Sequence, residues 1–412
     1  MLMRTFIPLI TSVSLLVSNT AFACTGFSLQ QFGRSYVAKN FDRPLEIGKM
    51  LVNARGVSKV AFKSPFWPQE SARWISKFGS VTLNQAGINF PFSGMNEKGL
   101  VVEVLSFKDS ILPKGSKLPV VSEAEWTQYI LDTSSTLAEE EANAQKIQIQ
   151  VLIKGLHYLV CDQLKQCAVF EYTNGDLAVY KFKKGEIPVV ANTRFPDQLK
   201  LQELQDANME GFYKALEKIP KALNPSSAET SSDTPVPLTP EEIEKQKQID
   251  QELAGQVDPK IIEALRDEDL RRPLIARARI LDRYAKYSNP VKFSMDLLEE
   301  VKLWDTRWNT VYSPADSTLW FRMFSNRNKV VIGTKRFNYS CRGDGLPKGL
   351  DLSEIDKPWT MMPKIHSISL DEHGVAIQKV LDDSKMPAQV SQMLLKLYKD
   401  HIKANYKCAS GQ

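Results

Sequence analysis

The chain predicts an α+β fold of packed layers, and three observations carry that expectation. Short apolar runs crowd the stretch after residue 24, helical periodicity follows, and strands then return. Like elements therefore come in blocks rather than in strict alternation. Hydrophobic residues make up 43% and charged residues 25% of 412, ordinary globular usage that excludes a wholly disordered chain. The balance of 53 Lys+Arg against 48 Asp+Glu leaves +5, too scattered an excess to make nucleic acid the default partner.

Taken in order, Phe27–Gln31, Ser35–Asn40, Met50–Arg55, Lys59–Phe62 and Gly79–Asn84 are apolar or alternating runs broken by Gly, Asn and Pro, and read as strands. Gly99–Leu105 is another, entered through the turn-forming Met95-Asn96-Glu97-Lys98. Glu123–Asp132 carries Trp126, Tyr129 and Ile130 at helical spacing, and Leu137–Ala144 is a second helix with Thr136 as its cap. Strands resume at His157–Cys161, Ala168–Tyr172, Asp176–Phe182 and Val189–Ala191. Ala222–Pro240 is rich in Ser, Thr and Pro and reads as a mobile surface loop. Helices are expected at Glu241–Gln251 and Pro273–Tyr287, and strands at Trp308–Tyr312, Ser317–Met323 and Lys329–Thr334. The Lys-rich helix near Leu394–Lys403 reads as a solvated amphipathic face.

Residues 1–23 have the build of a cleaved secretory signal: Arg4, an apolar core from Phe6 to Val17, and a small-residue ending at Ala21-Phe22-Ala23. The apolar run is shorter than the ~20 residues that span a bilayer, and no later segment is expected to enter a membrane. Cleavage would make Cys24 the first mature residue of a periplasmic or secreted protein. A rival reading makes Cys24 the lipid-bearing residue of a membrane-tethered lipoprotein with a binding role. Such sites usually want Leu three residues before the cysteine and a small residue two before, where this chain has Ala21 and Phe22.

There are four His and five Cys, with no short-spaced His pair and no Cys-x-x-Cys, which weighs against a zinc enzyme or a thioredoxin-like protein. His157, His366, His373 and His401 read as structural or surface residues. In an oxidising compartment Cys161 and Cys167 suit a disulfide across a hairpin, and Cys341 and Cys408 are the remaining pair. That leaves Cys24. A cysteine at a processed N-terminus carries its own base, since an α-amine of pKa about 7.7–8.0 can take the thiol proton. Lys39 and Asp42 supply a cation to favour a thiolate and a carboxylate to hold the amine. On spacing alone the same residues also fit an ordinary hairpin with a surface charge pair.

Six strings occur in order. They are Cys24-Thr25-Gly26, Lys39-Asn40-Phe41-Asp42, Gly94-Met95-Asn96-Glu97-Lys98-Gly99-Leu100, Val189-Val190-Ala191-Asn192-Thr193, and the closing Arg307-Trp308-Asn309-Thr310-Val311-Tyr312 with Trp320-Phe321-Arg322. Together they resemble the choloylglycine hydrolase family, the linear-amide C–N hydrolases that include bile salt hydrolases and penicillin V acylases. The similarity runs from Cys24 to about Arg336, with 222–270 as an insertion, best taken as a tolerated surface loop, within a single domain spanning 24–412.

The resemblance implies a four-layer αββα N-terminal-nucleophile fold without a cofactor. It implies that Cys24 Sγ attacks the carbonyl of a small N-acyl amide: a conjugated bile salt, a phenoxyacyl penicillin, or a fatty-acyl amide such as an acyl-homoserine lactone. Asp42 would orient the α-amine, Lys39 would favour the thiolate, and Asn192 with the Ser106 backbone N–H would hold the oxyanion. Three departures stand out. Lys39 replaces the usual Arg, and Ser106 stands where Asn or Tyr is common. The family's later Ser-Arg-Phe-x-Arg-Ala has no clean counterpart; matching its end to Arg277-Ala278 puts Arg277 at the second arginine and Leu274 at the first. These departures leave room for an inactive member that binds acyl ligands. Trp67, Trp74, Trp126 and Phe107 could line an acyl pocket, although strand aromatics are usually core. Assembly into a homo-oligomer is left open.

Overall fold

Both faces of the strand Arg34–Asp42 are buried, and its alternation sorts the core. Tyr36 and Ala38 pack with Ile275, Ile280, Phe293 and Leu298 from a helical layer. Val37 and Phe41 join a larger cluster with Val81, Met95, Val104 and Leu159 from a second sheet. A strand covered on both sides must be apolar at successive positions rather than at alternate ones. Tyr36-Val37-Ala38 is such a run, whereas Ser35, Lys39, Asn40 and Asp42 are polar residues buried on the same strand.

The computed structural model describes residues 24–409 apart from 44, 46, 63–68, 86, 114, 116, 151–154, 220–238, 326–328, 356–359, 362–363 and 384–386. The expected signal at 1–23, Trp67 and nearly all of the Ala222–Pro240 stretch lie outside the described residues. Among those described, one sheet has seven strands, with Thr25–Gln31 between Val189–Val190 and Arg34–Asp42, and Thr306–Ser313 next in order. A nine-stranded sheet places Val101–Ser106 between Leu156–Cys161 and Pro91–Asn96. Side chains bridge the two sheets: Ser93 Oγ lies 2.7 Å from the Tyr312 hydroxyl, and Thr310 Oγ1 donates to Glu103 Oε1 at 2.8 Å. The helices Glu268–Arg283 and Pro290–Glu300 cover the outer face of the first sheet. Glu123–Thr133 covers the second, with Trp126 stacked on Tyr158 at 4.0 Å. Four layers result, helix–sheet–sheet–helix.

Both expected disulfides are present, Cys161–Cys167 across directly paired residues of a hairpin and Cys341–Cys408 near the C-terminus. Thr136 caps Leu137–Ala144 by accepting from Glu139 N–H.

The differences have physical causes. Pro91–Asn96 is a buried central strand where the sequence shows only a turn ahead. Its Pro, Ser, Gly and Asn are poor strand formers. Gly94 is needed there, because a Cβ would come within 2.7 Å of Leu131 and 2.8 Å of Thr82. The helix expected from Pro273 begins five residues earlier, capped by Asp267, with Pro273 inside it. The helix expected at Glu241–Gln251 runs from Pro240 to Leu253, and the described part of the 222–270 insertion is packed against the fold rather than a tolerated surface loop. Pro240–Leu253 and Pro259–Ala264 bury Ile249, Leu253, Ile261 and Ile262 against Phe212, Leu274 and Ala278. The helices Phe195–Ala207, Met209–Lys218 and Leu370–Asp383 also go beyond the sequence reading.

Candidate active site

Antiparallel register assembles the site. Thr25 pairs with Asn40 and Gly26 with Lys39 on one side, while Gly26 pairs with Val190 on the other. Extending that second register brings Asn192 opposite Cys24, and the Cys24 backbone N–H donates to Asn192 Oδ1 at 3.1 Å. The last residue of Val101–Ser106 arrives from the facing sheet, and its N–H donates to the same Oδ1 at 3.2 Å. Cys24, Asn192 and the Ser106 backbone are thus brought together where strand ends of both sheets meet. Gln198, from the helix beyond, fixes this corner. Its side chain donates to Val189 O at 2.6 Å and accepts from Ala191 N–H at 3.1 Å.

Cys24 is 2% exposed and is the free cysteine of the described residues. Burial pushes its thiol up to about 11; the Lys39 and Arg272 charges and the Asp42 backbone N–H act in the opposite direction. The thiol is therefore neutral near pH 7 in this closed arrangement, and a nearby base is needed to unmask the nucleophile.

Lys39 and Asp42 are three residues apart on one strand, so they leave opposite faces of the sheet. Lys39 points between the sheets, where its ammonium pairs with Glu103 at 2.7 Å and donates to Val104 O at 3.0 Å. Asp42 points toward the helical layer, where Arg272 donates to Oδ2 at 2.6 Å and the Thr306 hydroxyl donates to Oδ1. Burial raises the Asp42 pKa, opposed by Arg272 and Thr306. In this full-length chain the Cys24 nitrogen is a peptide nitrogen with a single N–H, so the hold of the Asp42 carboxylate on a freed α-amine belongs to the processed protein. Among the described residues its oxygens serve Arg272 and Thr306, while the Cys24 nitrogen serves Asn192.

Arg277 is not brought to the site. It sits five positions, or about 140° at 3.6 residues per turn, around the helix from Arg272. It faces the helix Phe195–Ala207 and pairs with Asp206 at 2.6 Å. The residue that reaches the site is Arg272, which also donates to Val301 O at 2.7 Å. A signal for it was present: aligning Arg272-Pro273-Leu274-Ile275-Ala276 with Arg-Phe-x-Arg-Ala puts Arg272 at the motif's first arginine and Ile275 at its second. Two acidic residues were also missed. Glu103 is the one charged side chain in Val101–Ser106, and Asp269 accepts from Asn192 Nδ2 at 2.9 Å. Of the proposed pocket aromatics, Trp126 and Phe107 are fully enclosed, and Trp74 donates to Asp132. All three belong to the core.

Residues 24–208 match the family model described as linear amide C–N hydrolases, choloylglycine hydrolase family. Over those residues this chain resembles the choloylglycine hydrolase family. It is accordingly a hydrolase of linear amide C–N bonds. A penicillin V acylase from Pectobacterium atrosepticum is 26% identical over 305 residues, covering 69% of this chain and 73% of the relative. The structure of penicillin V acylase from Agrobacterium tumefaciens superposes with a TM-score of 0.58 at 19% identity, over 84% of this chain and 98% of that one. A mutant of conjugated bile acid hydrolase from Clostridium perfringens gives 0.54 at 15%, over 83% and 99%. The architecture here is thus the four-layer N-terminal-nucleophile fold.

Proposed function

We propose that this hydrolase is exported, loses residues 1–23 and uses Cys24 as an N-terminal nucleophile on an N-acyl amide. The observation that carries this is the isolation of one unpaired thiol beside its own backbone nitrogen, with Asn192 and the Ser106 N–H next to it. Two disulfides support an oxidising compartment.

The freed α-amine takes the thiol proton while Sγ bonds to the amide carbonyl carbon. The carbonyl oxygen becomes an anion held by Asn192 Nδ2–H and the Ser106 N–H. The latter must leave Asn192 Oδ1, a hydrogen bond already at the long end of the usual range. The tetrahedral adduct collapses, the C–N bond breaks, and the ammonium returns its proton to the departing amine. Water then attacks the thioester, the amine takes a water proton, and the thiolate leaves with the carboxylic acid formed. Such preorganised donors generally supply the largest share of stabilisation in acyl transfer.

The substrate class is an N-acyl amide. The likeness to penicillin V acylases supports placing phenoxyacetyl amides first in a panel that also holds conjugated bile salts and acyl-homoserine lactones. The test is intact mass of the exported protein together with turnover of Cys24→Ala. A chain starting at Cys24 with an unblocked amine, and a folded variant without turnover, are expected. An acylated Cys24, or full activity in the alanine variant, would overturn the mechanism.

A further inference from the structure

Asn192 has three polar partners, and together they leave its amide one orientation. Oδ1 accepts from the Cys24 and Ser106 N–H groups, and Nδ2 donates to Asp269 Oδ1 at 2.9 Å. Turned over, the amide would aim its carbonyl at a carboxylate and its NH2 at two N–H donors. A side-chain amide has two N–H donors. With one held by Asp269, one remains for a substrate oxygen. Asp269 is itself fixed, since its N–H donates to Asp267 Oδ1 at 2.8 Å in the first turn of Glu268–Arg283. A carboxylate is favoured at that end of a helix.

We propose that Asp269 is a positioning residue for the hydrolysis, setting the rotation of the Asn192 amide so that its oxygen faces the nucleophile's nitrogen and its free N–H faces the reacting carbonyl. Asp269 acts through Asn192 and need not touch the substrate. It comes from the far end of the 222–270 segment, so this stretch contributes to the site as well as to the surface. The inference rests on reading Asn192 as an oxyanion donor.

A double-mutant cycle on the mature enzyme separates the two ideas. Asn192→Ala should lower kcat by about 10²–10³-fold, the usual loss of one such donor. Asp269→Ala should lower kcat by about 10²-fold, as small misplacements of reacting groups do, with KM nearly unchanged. Asp269→Asn, which keeps an acceptor oxygen for Nδ2, should recover most of that loss. In the Asn192→Ala background, Asp269→Ala should cost nothing further. A cost that persists undiminished there, or no cost in the single Asp269→Ala variant, overturns the positioning role while leaving Asn192 intact as a donor. Full activity of Asn192→Ala instead overturns the oxyanion reading on which the inference stands.

Discussion

The sheet side and the helix side of this site solve the same problem in different ways. Each buries a cation against a carboxylate. Lys39 and Glu103 meet between the two sheets with neither side chain exposed, and Arg272 and Asp42 meet between a sheet and the helical layer, equally enclosed. On the sheet side every partner is held by ladder register, and a slip of one residue would turn each side chain to the wrong face. On the helix side one helix reaches the site through Arg272 and Asp269, by contacts with Asp42, Val301 O and Asn192. The difference teaches that the helix-borne groups can be altered one at a time without dismantling the strands.

The strongest test of that contrast is Arg272→Met. It strands the Asp42 carboxylate in the core with only the Thr306 hydroxyl, and breaking one partner of a buried ion pair typically costs about 3–5 kcal/mol. Urea unfolding should show that loss, and adding Asp42→Asn should recover a good part of it. A single-variant loss below about 1 kcal/mol, the range of exposed pairs, would mean that the helix side does not anchor Asp42.

A smaller effect comes from Asp305, next to the same pair. Burial and the Asp42 charge raise its carboxyl from 3.8 to about 6, and its Oδ1 has no hydrogen-bond partner. The folded chain therefore keeps a proton that the unfolded chain has already lost. Stability from this group is full below pH 4, falls as pH rises through about 6, and stays reduced above. Asp305→Asn should remove the decline, making the variant more stable at pH 8 by up to about 3 kcal/mol and no different at pH 4. Equal gains at both pH values would show that ionisation of Asp305 is not the cause.

The same contrast explains what the sequence disclosed. Cys24, Lys39, Ser106 and Asn192 sit on or beside strands whose period of two exposes the face of each side chain. Their meeting follows from register that a motif order can reveal. Glu103 was hidden because its partner lies on another sheet, a pairing across layers that no local pattern encodes. Asp269 and Arg272 were hidden for a different reason. Helix phase decides which of many charged residues between 266 and 283 turns inward, and the helix start was read five residues too late, at Pro273 rather than Glu268. The Asp42 carboxylate, three residues from Lys39 on the same strand, leaves the opposite face of the sheet. That single count would have assigned it to the helical layer.

Arg277 supplies the smallest prediction and the sharpest control on helix phase. Its guanidinium is bonded to Asp206, whose side chain is half exposed, and to Gln205 at 3.2 Å, both on the neighbouring helix and away from Cys24. A pair of that kind, open to solvent on one side, contributes about 0–1 kcal/mol. Arg277→Ala should therefore lower stability by no more than about 1 kcal/mol. It should leave kcat/KM unchanged, in the same assay where Arg272→Met is impaired. The two arginines share one helix and one charge, so a difference between them reports phase rather than electrostatics at a distance. If Arg277→Ala reduced kcat/KM tenfold with an unchanged urea midpoint, the helix would have to turn its other face to the substrate, and the assignment of Arg272 and Asp269 to the site would fall with it.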